Sequence, residues 1–386
     1  MYGFLFSNSP YNTVSMRELL KKLIQTAPVD LKGEISTAEV LQNYLSPSGI
    51  EAKIDCFSEK NANFMSRIRG TGQKKALLFA GHLDVVPACQ ENWTFPAFEG
   101  FEQDGKICGR GATDMLGGLA SIAAAMAEIK QENHPLKGDL IFAATAAEET
   151  DSSGVKHFLR NTAKTIGPLC GIVVPEPTAL EVLRAHRGIL WLEVTATGKT
   201  AHGSMPHLGI NAIEKIMAFL NLFKTYQIPH QPHPLLGGCS VSVNKITGGQ
   251  AANIVPDSCS VQIDIRTLPG QAHNAIQKDI EQLLDQLRQQ DKHFKAKISV
   301  MRSVPALETP QDNPFLTTVC KAVGVKKAGA VGFTTDGPWF AKLNAPVLIF
   351  GPGLPQMCHK PDESIDIEQL EKAKEAYKQI ILECLS

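Results

Sequence analysis

Between Ala76 and Pro87 the chain reads ALLFAGHLDVVP, an apolar run that stops at a proline. As a strand, this run buries both of its faces. The helices followed by strands that lead up to it suggest an α/β layer structure. The strand alternation also puts His82 and Asp84 on the same side at its exit. An imidazole is a common zinc ligand, and a carboxylate two residues on can fix its tautomer and orientation. A His-x-Asp triplet alone carries little information, so the rest of the chain must supply the remaining ligands.

With 386 residues, the chain is long for one hydrophobic core, and two domains are expected. Before the organising strand, amphipathic helices are predicted over residues 15–26 and 35–46, and strands over 51–56 and 63–68. After it, a loop with Trp93, Pro96 and Phe98 leads through a hairpin to GRGATDMLGGLASIAAAMAEIK, whose small and apolar residues suit a helix packed against a sheet. From Gly188 the pattern changes to β-α-β-β-α-β, the ferredoxin-like order, ending near residue 303. Helix and strand alternation then resumes and closes with a helix over 367–385. Residues 188–303 therefore read as a domain inserted into a first one made of residues 1–187 and 304–386.

Polar residues gather where the buried strands end. Asp114 precedes the small-residue helix, where capping is the plainer role for an aspartate. Glu148 and Glu149 follow the buried strand GDLIFAAT, at the end where open α/β sheets place ligands. Both can serve one site only if the backbone leaves the extended form there. Glu176 lies between Pro175 and Pro177, which restrict the local backbone or simply mark a rigid turn. His359 follows the late turn GPGLPQMC, and Cys358 beside it reads as a small buried residue rather than a ligand. Two imidazoles and several carboxylates suit zinc, and a carboxylate shared by ions about 3.5–4 Å apart makes a co-catalytic site. One carboxylate beyond the ligand set would remain for proton transfer.

A net charge of −1 gives no field for drawing in nucleic acid or a membrane surface. The nine scattered cysteines have no C-x-x-C pair and fit free thiols in a reducing cytoplasm. The start, MYGFLFSNSPYN, has no basic segment and no sustained apolar stretch, so it resembles no secretory signal. No run is expected to span a membrane.

Eight motifs in order, GHLDVVP, GRGATDMLGG, AAEET, the PEP around Glu176, TAHGSMPHLGINAI, GGQAANIVP, IDIR and GPG with MCHKPDE, resemble the M20 family of metallohydrolases. The resemblance covers nearly the whole chain. This family includes acetylornithine deacetylase, succinyl-diaminopimelate desuccinylase, aminoacylases and glutamate-releasing carboxypeptidases. It implies a mixed-sheet, three-layer zinc-hydrolase catalytic domain with an inserted ferredoxin-like α+β dimerisation domain. It also implies that His82, Asp114 and Glu176 hold one metal, and Asp114, Glu149 and His359 the other. Asp84 would orient His82, and Glu148 would be the general base for metal-activated water. His202 of the inserted domain would stabilise the oxyanion across a dimer interface. Asn253 and Arg266 fall in motifs that surround the substrate, where the Arg266 fork suits a carboxylate; a strand-end salt bridge is its plainer role.

The implied protein is a cytoplasmic homodimeric deacylase of amino-acid biosynthesis. It would carry two zinc ions, replaceable by cobalt, and act on a small N-acyl amino acid; a dipeptidase or carboxypeptidase with the same centre is the alternative. A catalytically silent relative is a third reading, and the presence of Glu148 and every implied ligand argues against it. Departures from the family pattern are Leu116, where a lysine is common, and Phe333 and Thr334, where small residues are frequent. Neither is an implied ligand.

Overall fold

In the computed structural model, which describes residues 14–27 and 33–386, the run around His82 is a strand buried at every residue. The leader reading of MYGFLFSNSPYN lies outside the described residues. In chain order the elements begin with α1 (Met16–Thr26), α2 (Glu34–Leu45), β1 (Glu51–Cys56), β2 (Ala62–Ile68), β3 (Ala76–His82), β4 (Phe101–Gln103) and β5 (Lys106–Cys108). Then come α3 (Gly117–Gln131), β6 (Leu140–Thr145), α4 (Ser153–Asn161), β7 (Leu169–Val174), β8 (Leu183–His186), β9 (Gly188–Thr197), α5 (Ala212–Phe223), β10 (Ser240–Gly248) and β11 (Ser258–Thr267). The chain continues through α6 (His273–Gln290), β12 (Ala296–Val304), β13 (Leu307–Glu308), α7 (Pro314–Ala322), β14 (Gly329–Val331), α8 (Gly337–Phe340), β15 (Val347–Ile349), β16 (Ser364–Asp366) and α9 (Ile367–Leu385).

These elements form two compact units. One takes the described residues up to Arg184 with Thr309–Gly329 and Thr335–Ser386; the other takes Ala185–Glu308 and Ala330–Thr334. The second unit is thus wider at both ends than the stretch read from the sequence, and it includes Phe333 and Thr334.

In the first unit the main sheet runs β1-β2-β6-β3-β7-β15-β8. Its centre is parallel, β6 with β3, β3 with β7 and β7 with β15, while β1 and β2 are antiparallel, so the sheet is mixed. Leu77 and Phe79 of β3 belong to a core shared with α3 and α9, while Leu78 and Ala80, on the opposite face, are equally buried. Each such leucine or phenylalanine contributes roughly 1.5–3 kcal/mol when fully buried. Tyr377 of α9 packs edge-on against Phe79 and Phe350, and its buried hydroxyl donates to the Phe350 carbonyl at 3.0 Å.

Leu116 is fully buried in this core. The helical stretch Ala112–Gln131 is long and apolar enough to cross a membrane by length and composition, yet 89% of its apolar window is buried among its neighbours, as in a core helix.

The second unit has the sheet order β10-β11-β9-β12, antiparallel throughout. With the chain order β9-α5-β10-β11-α6-β12, this is the ferredoxin-like arrangement. Along β11, Cys259, Val261, Ile263 and Ile265 face the core formed with α5 and α6, including Phe219, Ile276 and Ile280. Asp264 and Arg266 therefore lie on the other face. Every residue of β10 is exposed, including Val241, Val243 and Ile246.

His186 is fully buried, and its Nδ1–H donates to the Arg187 carbonyl at 2.8 Å. Burial disfavours the charged ring and pushes its pKa down to about 4 from 6.5. The unfolded chain therefore binds this proton first as pH falls. Stability should drop between pH 6.5 and about 4, by on the order of 3 kcal/mol from this group alone. Denaturant unfolding of the protein beside His186→Gln checks this, and the variant should show a shallower acid loss over that window.

Candidate metal centre

Seven residues singled out in the sequence converge in the first unit. His82 ends β3 and is buried. Its Nδ1 lies 2.9 Å from the Asp84 carbonyl oxygen, which can only accept, so Nδ1 carries a proton and Nε2 is the nitrogen turned toward the site. That Nε2 is 3.3 Å from Asp114 Oδ1 and 3.8 Å from Glu176 Oε1.

The main chain of Asp84 is thus the closer partner of the ring, its carboxylate lying 3.6 Å away. That carboxylate accepts the backbone N–H groups of Glu148 and Glu149, each at 3.0 Å. These bonds hold the turn after β6, where Ala147 has a φ of 61°. A non-glycine residue there is a local departure from extended backbone. It permits two consecutive glutamates to serve one site, as the sequence required.

Asp114 caps no helix. It sits in an irregular turn before α3, with non-helical φ and ψ. Its Oδ1 faces His82 and its Oδ2 is 3.2 Å from His359 Nε2, so one carboxylate lies between the two imidazoles. His359, at a φ of 63°, also meets Glu149 Oε1 at 3.0 Å. Glu176 follows β7, and the close approach of α3 to that strand end depends on Gly118, whose added Cβ would lie 2.2 Å from the Pro175 carbonyl oxygen. Cys358 is half-buried beside Asp114; burial first, then that charge, pushes its thiol upward and keeps it protonated.

The electrostatics are those of a cation site. His82, Asp114 and Glu176, and likewise Asp114, Glu149 and His359, offer ligand atoms lying within 4.8 Å of one another; Glu148 groups with His82 and Glu149 in the same way. Four carboxylates against two imidazoles concentrate negative charge in a mostly buried place, which is costly without compensation. Burial pushes Glu148 well up, with help from Asp336, and pushes Glu176 up, with help from Asp114. Burial also opposes charge on Asp114, but His359 and His82 hold its carboxyl low. Hydrogen bonds to Asp114 and Glu149 lift His359 to about 10. Oxygen and imidazole donors in this geometry fit divalent ions of the zinc type.

Sequence reasoning missed three residues here. Glu363 is fully buried and accepts from the backbone N–H groups of Thr113 at 2.9 Å and Asp114 at 3.0 Å, while Arg110 Nη1 donates to it at 2.6 Å. Asp336 is buried where its charge reaches Glu148 and Glu176. Glu363 lay within the quoted MCHKPDE motif, Arg110 within GRGATDMLGG and Asp336 within GFTTDG; none has a local pattern that marks its burial.

His202, Asn253 and Arg266 belong to the second unit. His202 Nδ1 accepts from the Ser204 N–H at 3.2 Å and meets its hydroxyl at 2.7 Å, which leaves the ring proton on an exposed Nε2 side. Asn253 lies in a separate segment bonded to that turn, its carbonyl accepting the Gly203 N–H at 2.8 Å. Arg266 pairs with Asp264 through Nε at 2.9 Å and Nη2 at 3.0 Å.

Residues 78–383 match the sequence family described as Peptidase family M20/M25/M40. The chain belongs to this family. Among M20 relatives, acetylornithine deacetylase of Proteus mirabilis is 32% identical, covering 94% of this chain and 95% of its own. A protein named probable succinyl-diaminopimelate desuccinylase of Staphylococcus aureus is 29% identical, covering 97% and 99%. The crystal structure of an M20 family metallo-carboxypeptidase from Sulfolobus solfataricus superposes with a TM-score of 0.79 at 16% identity, covering 95% of this chain and 98% of that one, which shows a shared fold. This M20 chain is therefore a hydrolase of a metal-dependent family, with ligand groups for metal in its first unit.

Proposed function

We propose that this hydrolase removes an acyl group, acetyl or succinyl, from a small N-acyl amino acid. The observation that carries the reading is Asp114, whose two oxygens face two imidazoles, with the buried carboxyl of Glu148 in the same cluster. The naming of two full-length relatives as a deacetylase and a desuccinylase supports the acyl amino acid over a dipeptide.

His82, Asp114 and Glu176 would hold one zinc ion, and Asp114, Glu149 and His359 the other, with cobalt able to substitute. Bound ions would supply Lewis acidity and a lowered pKa for a water. Glu148 takes the proton from the attacking water and returns it to the leaving amine nitrogen. Asp84 keeps Glu148 and Glu149 in place through their amides and His82 through its own carbonyl. Arg266 anchors the substrate carboxylate and Asn253 lines the substrate. In a homodimer, His202 offers its Nε2 proton to the oxyanion in the partner's site. The exposed apolar edge of β10 supports such a dimer, because an unpaired edge of that kind is a ready surface for a second chain. The nine free thiols support a cytoplasmic location, and we expect neither nucleic acid nor membrane as a partner.

A panel of N-acetyl, N-succinyl and N-formyl amino acids beside simple dipeptides, with added zinc or cobalt, tests the reading. Turnover confined to dipeptides would replace it with the peptidase alternative. Arg266→Ala should lower kcat/KM for carboxylate substrates by about two orders of magnitude, from loss of a charge-assisted hydrogen bond of roughly 1.5–3 kcal/mol. The same variant should barely change the rate on an N-acyl amine lacking the carboxylate. Equal losses on both would leave Arg266 as the salt-bridge partner of Asp264.

A further inference from the structure

We infer that the buried Arg110–Glu363 pair is a positioning device for the second metal position, the one formed by Asp114, Glu149 and His359. The inference rests on the ligand reading above and adds what holds those ligands in register. His82 and Glu176 stand at the ends of buried strands, whereas His359 has a side chain 53% exposed and comes from a stretch whose one regular element is the short turn Pro355–Met357. Among the described residues, its ring pairs with groups of the site itself, Asp114 and Glu149. Something else has to fix its backbone.

Arg110 supplies that fixation from the C-terminal side of the residue. Its Nη1 donates to the Lys360 carbonyl at 3.2 Å, one residue after His359, and to Glu363 Oε2 at 2.6 Å, four residues after it. The guanidinium lies 4.9 Å over the Trp93 ring, which holds it flat. The other oxygen of Glu363 accepts the N–H groups of Thr113 and Asp114, and the Thr113 hydroxyl donates to the Ser364 carbonyl at 2.8 Å. One carboxylate thus joins the backbone under Asp114 to the segment that carries His359. Both members of the ion pair are almost wholly buried, at 4% and 1% exposure, so water does not loosen the joint. Partners beyond the ligand shell set ligand orientation, and their loss typically costs about 10–100-fold in metal affinity. Here the loss should fall on the second position, because the first keeps two ligands on rigid strands.

The test is competition titration of the metal-free protein with zinc against a chelating dye, with the metal-free melting temperature read alongside. The second step is identified as the one His359→Ala abolishes. Glu363→Gln keeps one acceptor oxygen but turns an NH2 toward either Arg110 or the two backbone donors, and should weaken the second step about 10–100-fold while leaving the first within about threefold. Glu363→Asp retains the buried charge, and with it the fold, but draws the carboxylate back by one methylene; it should weaken the second step several-fold, again sparing the first. Absence of a second step in the unaltered protein would overturn the two-metal reading itself. With two steps present in it, a lower melting temperature with both steps unchanged, or equal weakening of both, would reduce the pair to a structural salt bridge.

Discussion

Glu148→Gln is expected to retain its full metal content and to lose about 10²–10⁴-fold in kcat, the usual range for a missing general base. The amide fills the same space and can still accept a hydrogen bond, but it cannot take a proton from water. The backbone N–H of Glu148 is held by Asp84 and its carboxyl is buried, so the substitution leaves the turn intact. Glu149→Gln should behave differently, since Glu149 Oε1 is the group 3.0 Å from His359 and its loss weakens a metal position. Metal analysis beside steady-state rates separates the two. A near-normal rate for Glu148→Gln with a dead Glu149→Gln would exchange the roles.

His82→Ala and His359→Ala should each remove a different ion, and each should lower activity by more than the roughly 10–100-fold that loss of a partner beyond the ligands costs. The two should differ in stability. His82 is 2% exposed and its removal leaves a hole at the end of β3, whereas His359 is 53% exposed and its removal leaves none. Metal content after dialysis, with melting curves of the metal-free proteins, checks both statements. Loss of both ions from either variant would mean that the positions are not separable.

Much of this centre is legible in the sequence because His82, Glu148, Glu149 and Glu176 follow apolar strands and Asp114 precedes a small-residue helix. The strand at Ala76–His82 announces its buried faces, and the residues just past it must sit at the sheet edge. The same holds for Glu148 after β6 and Glu176 after β7. Asp114 was harder: an aspartate before a helix reads as a cap, and only the turn geometry sends its side chain to the histidines. Asp84 was readable as a partner of His82 but not as an acceptor for amides 64 and 65 residues away.

Arg110 and Glu363, separated by 253 positions, were not legible as a pair, because such pairing follows from topology and not from local pattern. The strands β13, β14 and β16 are two or three residues long, too short for alternation to show. The second unit was easier in outline, since the period of β11 and the helical period of α5 and α6 each persist over ten residues or more.

The central claim is that hydrolysis needs two ions sharing Asp114. It is tested most directly by adding zinc in increments to the metal-free protein while measuring bound metal and hydrolysis of an N-acetyl amino acid in the same samples. The account predicts that activity rises to its plateau only as the second ion per chain binds. Full activity at one bound ion per chain, with no further gain at saturating zinc, would contradict it.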